Sequence, residues 1–445
     1  MTTQAHSDVP HAAGVARYIP ILSIGLLFFI FGFITWLNGA LIPFLQMVCE
    51  LSEIQALLIA FCFYIAYVVM ALPMAKILEK TGYQKGMSLG LGIIAFGCLL
   101  FVPAALSAMF PIFLLAQFVV GSGLTILQTA SNPFIVRLGN EESAAARIAF
   151  MGLLNKAAGV LAPIVFTSLV LSGLPDVNQE SLNAMPMDTR TALINDMSVS
   201  LIQPYVGMAI ALGLLALVFM RLSLPSINDT SSNEAGAISD TKQDKKILQF
   251  PHLVLGAVSL FFYVGVEVVA GDTIGLYGSS IGVENATMLT SFTMVAMVIG
   301  YAIGLLCIPR FISQQTALLS SAVLGLILTI CVLLSSNTDM GISQVLWGWL
   351  GVPLLPNSVA CIALLGLANA LVWPAIWPLA LNNLGKYTAQ GSALLIMGIA
   401  GGAILPMVYG GVSEALGGQT AYVIMLPCYC FIAYYALWGC KKQSW

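Results

Sequence analysis

Residues 250–278 read FPHLVLGAVSLFFYVGVEVVAGDTIGLYG, an apolar run whose only carboxylates are Glu267 and Asp272. At 1.5 Å rise per residue, about 20 apolar residues cross a hydrocarbon core roughly 30 Å thick, so the run reads as one membrane-spanning helix. Hydrocarbon penalises ions, and each carboxylate must be offset by a partner, a cavity or a mechanism. Working outward, similar runs recur near residues 20–47, 54–78, 87–107, 110–136, 147–172, 202–223, 284–308, 315–335, 357–382, 389–411 and 419–440. With 59% hydrophobic and 8% charged residues, the chain lies far from the roughly 25% charged composition of soluble domains. The expected fold class is an all-α membrane protein with 12 transmembrane helices.

Charge sets the orientation. With both termini in the cytoplasm, Arg17, Lys76, Lys80, Lys85, Arg137, Arg147, Arg221, Lys242, Lys245, Lys246, Arg310, Lys386, Lys441 and Lys442 fall inside, Arg190 alone falls outside, and Lys156 lies at membrane depth. The positive-inside rule selects this topology, and the expected location is the plasma (bacterial inner) membrane. Met1 to Tyr18 lacks a basic n-region, so the first span is expected to act as its own anchor. The nine cysteines show no CxxC pair and no metal-ligand spacing, and are read as packed thiols; His252 is read as an interfacial residue at a helix start. No nucleotide-binding motif appears, and no enzyme, cofactor or nucleic-acid partner is expected.

The polar stretch Pro225 to Gln249 divides the spans six and six. The expected organisation is a cytoplasmic segment 1–17, a six-helix half 18–224, a cytoplasmic linker 225–249, a second half 250–440 and a cytoplasmic tail 441–445. The halves repeat. Gly121, Gln128, Asn132 and Pro133 of span 4 align with Gly366, Trp373, Trp377 and Pro378 of span 10 at one offset. Gly159 and Pro163 of span 5 align with Gly402 and Pro406 of span 11, and Phe28, Phe29 and Gly32 of span 1 with Phe261, Phe262 and Gly265 of span 7. Duplicated halves with a binding site between them near the midplane are a transporter architecture.

Several motifs carry a family resemblance. The loop after span 2, Ala75-Lys-Ile-Leu-Glu79-Lys80-Thr-Gly82-Tyr-Gln-Lys85, looks like a degenerate major facilitator signature, in which Glu79, Lys80 and Lys85 would latch the cytoplasmic gate. Leu37-Asn38-Gly39-Ala-Leu-Ile42-Pro43-Phe44, Leu127-Gln128-Thr-Ala-Ser-Asn132-Pro133-Phe134 and Phe262-Tyr263-Val264-Gly265-Val-Glu267-Val resemble the fucose/glucose-galactose symporter family of the major facilitator superfamily, with a softer likeness to its N-acetylglucosamine permease branch. The resemblance implies cation-driven import of a neutral hexose-type sugar. Departures are informative: the family's span 1 acidic residue is Gly39 here, its span 5 Asn-Ser is Asn155-Lys156, and the fucose branch's span 4 Glu is Gln128. Continuing the repeat register pairs Gly39 with Asp272, which suggests that the coupling carboxylate has moved to the other half.

Cation coupling is therefore assigned to Asp272, Glu267 and Lys156, with a proton or sodium as the ion and Asp272 as a metal ligand if sodium is used. Glu267 and Asp272 are five residues apart, about 140° around a helix, and would share one cavity only if Gly271 broke it. Lys156 is expected to pair with one of them; a permanent inter-helix pair with a solvated Asp272 is the structural alternative. For a sugar, amides bridge hydroxyls and aromatic faces cover C–H surfaces. Gln128 and Asn132 on span 4, Asn369, Trp373 and Trp377 on span 10, Asn38 and Trp36 on span 1 and Asn155 on span 5 are the expected contacts. The reading is a monomeric sugar symporter working by alternating access in contact with membrane lipid. A sugar uniporter, a drug efflux antiporter and a membrane sugar sensor are the rivals.

Overall fold

The computed structural model describes residues 19–137, 144–171, 182, 184–222, 247–308, 311–384 and 387–445. It is all-helical, with eleven helices long and apolar enough to cross a membrane and one shorter apolar helix, Glu53–Val69, among the described residues. In chain order these are span 1 Pro20–Val48, span 2 Glu53–Val69, span 3 Lys80–Ser107, span 4 Phe110–Ser131, span 5 Arg147–Val170, span 6 Met187–Arg221, span 7 Pro251–Ser280, span 8 Ala286–Cys307, span 9 Gln314–Leu334, span 10 Asn357–Leu381, span 11 Leu394–Leu416 and span 12 Gly418–Lys441. Each corresponds to a run expected from the sequence. The segment Pro225 to Gln249 lies largely outside the described residues.

Local chemistry marks the interruptions. At the start of span 3 the chain turns at Gly82, whose φ of 77° is open to glycine and strained for other residues. Span 1 is two helices, Ile19–Trp36 and Asn38–Val48, meeting at Leu37; Pro43 lacks the N–H that would bond the Gly39 carbonyl. Span 2 opens with a capping box in which Ser52 and Gln55 bond each other's backbone N–H groups.

The sequence repeat has a packing counterpart. A Cβ on Gly121 of span 4 would stand 2.3 Å from the Phe63 carbonyl oxygen of span 2, and one on its repeat mate Gly366 of span 10 would stand 2.1 Å from the Thr293 carbonyl oxygen of span 8. Likewise a Cβ on Gly32 of span 1 would stand 1.8 Å from the Asn155 carbonyl oxygen of span 5, and in the equivalent pair, spans 7 and 11, one on Gly401 would stand 1.8 Å from the Phe261 carbonyl oxygen. Glycine lets these backbones touch, which is how membrane helices gain dispersion contact without a hydrophobic drive.

Contacts between the first six and last six spans gather at the end of the molecule opposite the described terminus and the Ile247 entry to span 7. There Ser413 donates to the Glu53 carboxylate, the Ile54 N–H donates to Glu414 Oε1 at 3.4 Å, and the Thr167 and Thr287 hydroxyls meet at 2.7 Å. Spans 1 and 7, 5 and 8, and 2 and 11 pack together. Spans 4 and 10 form no extended interface among the described residues. In a background without native cysteines, Ile54→Cys with Gly410→Cys is expected to form a disulfide on mild oxidation, because a Cβ at 410 lies 3.4 Å from Ile54 Cα. Peptide mass spectrometry should recover the linked pair; free thiols alone would count against closure at this end.

Candidate functional site

Span 7 runs as an unbroken helix through Gly271. The break that would have let Glu267 and Asp272 share one cavity is absent, and the two carboxylates occupy different flanks of one helix. Gly271 has another use: a Cβ there would lie 2.4 Å from the Trp36 ring, and Gly159 on span 5 leaves a similar gap, 2.6 Å from the same ring. Trp36 is thus wedged between the halves, 2% exposed, with its indole N–H unpartnered. It is enclosed rather than presented to a cavity in this conformation, as is Asn38, whose Oδ1 accepts from Gln117 Nε2 at 2.8 Å.

On one flank, Lys156 Nζ reaches Glu267 Oε1 at 2.6 Å, both side chains being at most 9% exposed. Lys156 also lies over the Trp36 ring, 4.4 Å from its centroid, a cation–π contact added to the ion pair. The pair joins span 5 of the first half to span 7 of the second. On the other flank Asp272 is fully buried, and neither carboxylate oxygen has a hydrogen-bond partner. The alternative of a solvated Asp272 near the outer end of span 7 is overturned. Beside this flank Tyr64 of span 2 and Val268, one turn before Asp272, both crowd Gly402 of span 11, and the Tyr64 hydroxyl is also unpartnered.

Gly39 faces Thr290 so closely that a Cβ would stand 2.0 Å from its hydroxyl oxygen, and that hydroxyl donates to the Gly271 carbonyl at 2.7 Å. In this conformation position 39, the register mate of Asp272, has no room for a side chain. No group of three His, Cys, Asp or Glu suited to a metal occurs among the described residues.

The amides and aromatics form two separate groups. On span 4 the half-buried Gln128 donates to the Tyr67 hydroxyl at 2.8 Å. On span 10 the half-buried Trp373 and Trp377 rings lie 5.6 Å apart, and Tyr263 joins them 6.3 Å from Trp373. Asn369 is fully buried and accepts from Tyr429 at 2.7 Å, leaving its amide N–H groups unpartnered. Asn155 donates to the Phe28 carbonyl at 3.3 Å. The side chains of Asn132 and Glu79 lie outside the described residues; Lys80 and Lys85 are exposed. His252 is buried, with Nε2 2.9 Å from the Asn382 carbonyl, and thus serves packing at the start of span 7. The sequence reading missed Tyr64, Tyr67 and Gln117. Their signal was present: Tyr64 and Tyr67 are spaced i, i+3 on one face of an apolar span, where hydroxyls need partners.

The chain can now be set beside known proteins. The Major Facilitator Superfamily profile matches residues 24–406. A glucose/galactose transporter of Brucella abortus biovar 1 (strain 9-941) is 34% identical over 427 residues, covering 95% of this chain and 94% of that protein. The L-fucose-proton symporter of Escherichia coli (strain K12) is 29% identical over 443 residues, covering 98% and 96%. A solved major facilitator transporter, FucP, in the outward conformation superposes with a TM-score of 0.69 at 26% identity, over 96% of this chain and 100% of that one. This multi-pass membrane protein belongs to the Major Facilitator Superfamily.

Proposed function

We propose that the chain imports a neutral hexose or N-acetylhexosamine by proton-coupled symport, its halves alternating access to a central site. The carrying observation is that Gln128, bonded to Tyr67 of span 2, stands on span 4 of the first half and the Trp373–Trp377 pair on span 10 of the second, and that spans 4 and 10 form no extended interface among the described residues. An amide and a phenol on one side and an aromatic face on the other supply what a pyranose needs, hydroxyl partners and a surface for its C–H face. The names of the glucose/galactose and fucose-proton relatives support a sugar as substrate, and the latter supports the proton rather than sodium. Asn38, Asn155 and Asn369 complete the proposed sugar contacts, with Trp36 as their apolar neighbour. The proposed coupling group is one of the two carboxylates at membrane depth, Glu267 and Asp272, near Lys156.

Both termini and the 225–249 linker are placed in the cytoplasm of the bacterial inner membrane by the Lys/Arg asymmetry. The closed end bearing Glu53 and Ser413 then faces outward. In this orientation a membrane-impermeant thiol reagent applied from outside should modify Met185→Cys and spare Ala235→Cys; the reverse pattern would refute it. For the sugar site, Gln128→Ala removes the partner of Tyr67 and a proposed sugar contact. It should weaken sugar affinity by about 1–3 kcal/mol, roughly 5- to 150-fold. Equilibrium binding of radiolabelled sugar to the purified protein checks this, and unchanged affinity at normal expression would remove Gln128 from the site.

A further inference from the structure

We infer that Asp272 alone carries the coupling proton, while Lys156 and Glu267 form a fixed ion pair that orients the two halves; this rests on the proposed proton symport. The two carboxylates of span 7 have opposite surroundings. Glu267 has a cation at 2.6 Å, and that cation is itself held against Trp36. Removing the charge of Glu267 would leave Lys156 as an uncompensated buried charge, so the two ions hold each other in place. Asp272 has no cation and no donor on either oxygen, although it is fully enclosed. With no donor on either oxygen, a negative charge so placed is offset only at a distance, and enclosing it is costly. The group that must be neutral when enclosed and is charged when water reaches it is the one suited to carry a proton between compartments.

The groups that act electrostatically on Asp272 are Tyr64 from span 2 and, along its own helix, Glu267 with Lys156. Spans 1, 8 and 11 bring Gly39, Thr290 and Gly402 to neighbouring positions, none of them charged. Trp36, seated on Gly271, lies between Lys156 and the helix, holding the cation on the Glu267 side. Tyr64 belongs to the first half and Asp272 to the second. Rocking of the halves therefore changes the cover over Asp272 in the same movement that opens the sugar site. Only an O–H bond forms and breaks: the carboxylate takes a proton from the outer water, and the carboxyl returns it to the inner water.

The test uses the full-length protein in proteoliposomes, with whichever of radiolabelled D-glucose, D-galactose, L-fucose and N-acetyl-D-glucosamine gives the fastest wild-type counterflow. Asp272→Asn should reduce the accumulation ratio under an inward proton gradient to unity while counterflow stays within a few-fold of wild type. The double variant Lys156→Met with Glu267→Met removes both charges together, and should run more slowly yet still accumulate sugar. Accumulation by Asp272→Asn would overturn the inference. Counterflow without accumulation in the double variant would move the carrier to Glu267. Because a variant can lose counterflow through misfolding, and because none of the four sugars being transported would sink the sugar reading itself, a second measurement uses no sugar. Infrared difference spectra between neutral and alkaline pH, a range in which exposed carboxylates stay ionised, should show a protonated-carboxyl stretch in wild type and in the double variant. The band should be absent in Asp272→Asn, and its persistence there would overturn the inference.

Discussion

A lysine ammonium and a glutamate carboxylate 2.6 Å apart, inside a molecule made almost wholly of apolar helices, constrain the arrangement of everything around them. Neither ion is tolerated alone at that depth, and removing one partner of a buried pair typically costs about 3–5 kcal/mol because the other is left uncompensated. The pair spans the two halves, so their relative position is tied to it in this conformation. Trp36 fits beneath Lys156 only because Gly159 and Gly271 leave space for its ring. One electrostatic requirement thereby fixes three helices, spans 1, 5 and 7, against each other.

Within each half a different force operates. Lipid tails are as apolar as leucine, so helices gain nothing from hiding apolar surface and associate through close packing. Gly121 against Phe63 and Gly366 against Thr293 give the same backbone approach in both halves. Each half is therefore a tightly built body, whereas the contacts between halves at the closed end are hydroxyl and carboxylate hydrogen bonds such as Ser413 to Glu53 and Thr167 to Thr287. Such bonds can be exchanged for water with little net cost, since each contributes about 0.5–1.5 kcal/mol. Rigid halves joined by exchangeable polar contacts are the mechanical requirement for rocking.

Two of the proposed sugar amides have protein partners. Gln128 holds Tyr67, and Asn369 holds Tyr429. These bonds fix the amides in place and restrict their rotamers, which lowers the ordering cost when a hydroxyl replaces or joins a partner. Trp373 and Trp377 support each other and Tyr263, presenting an aromatic surface that needs no rearrangement.

The sequence by itself determined the membrane class, all twelve spans and the duplicated architecture, because hydrocarbon thickness sets the length of an apolar run and glycine recurs wherever backbones touch. It also singled out Lys156, Glu267 and Asp272, since a charge in an apolar run stands out without any three-dimensional knowledge. It left open which carboxylate Lys156 meets. Helical phase separates Glu267 from Asp272 by about 140° but does not say which flank the neighbouring half presents. Only the packing of spans 5 and 7 decided that Glu267 is paired and Asp272 enclosed without a partner. The roles of Gly39 and Gly271 were likewise tertiary. Sequence made one a missing carboxylate and the other a helix break, whereas both are points where Thr290 and Trp36 press too closely for any side chain. Periodicity reads one helix at a time; which atoms fill the space beside it depends on a partner far along the chain.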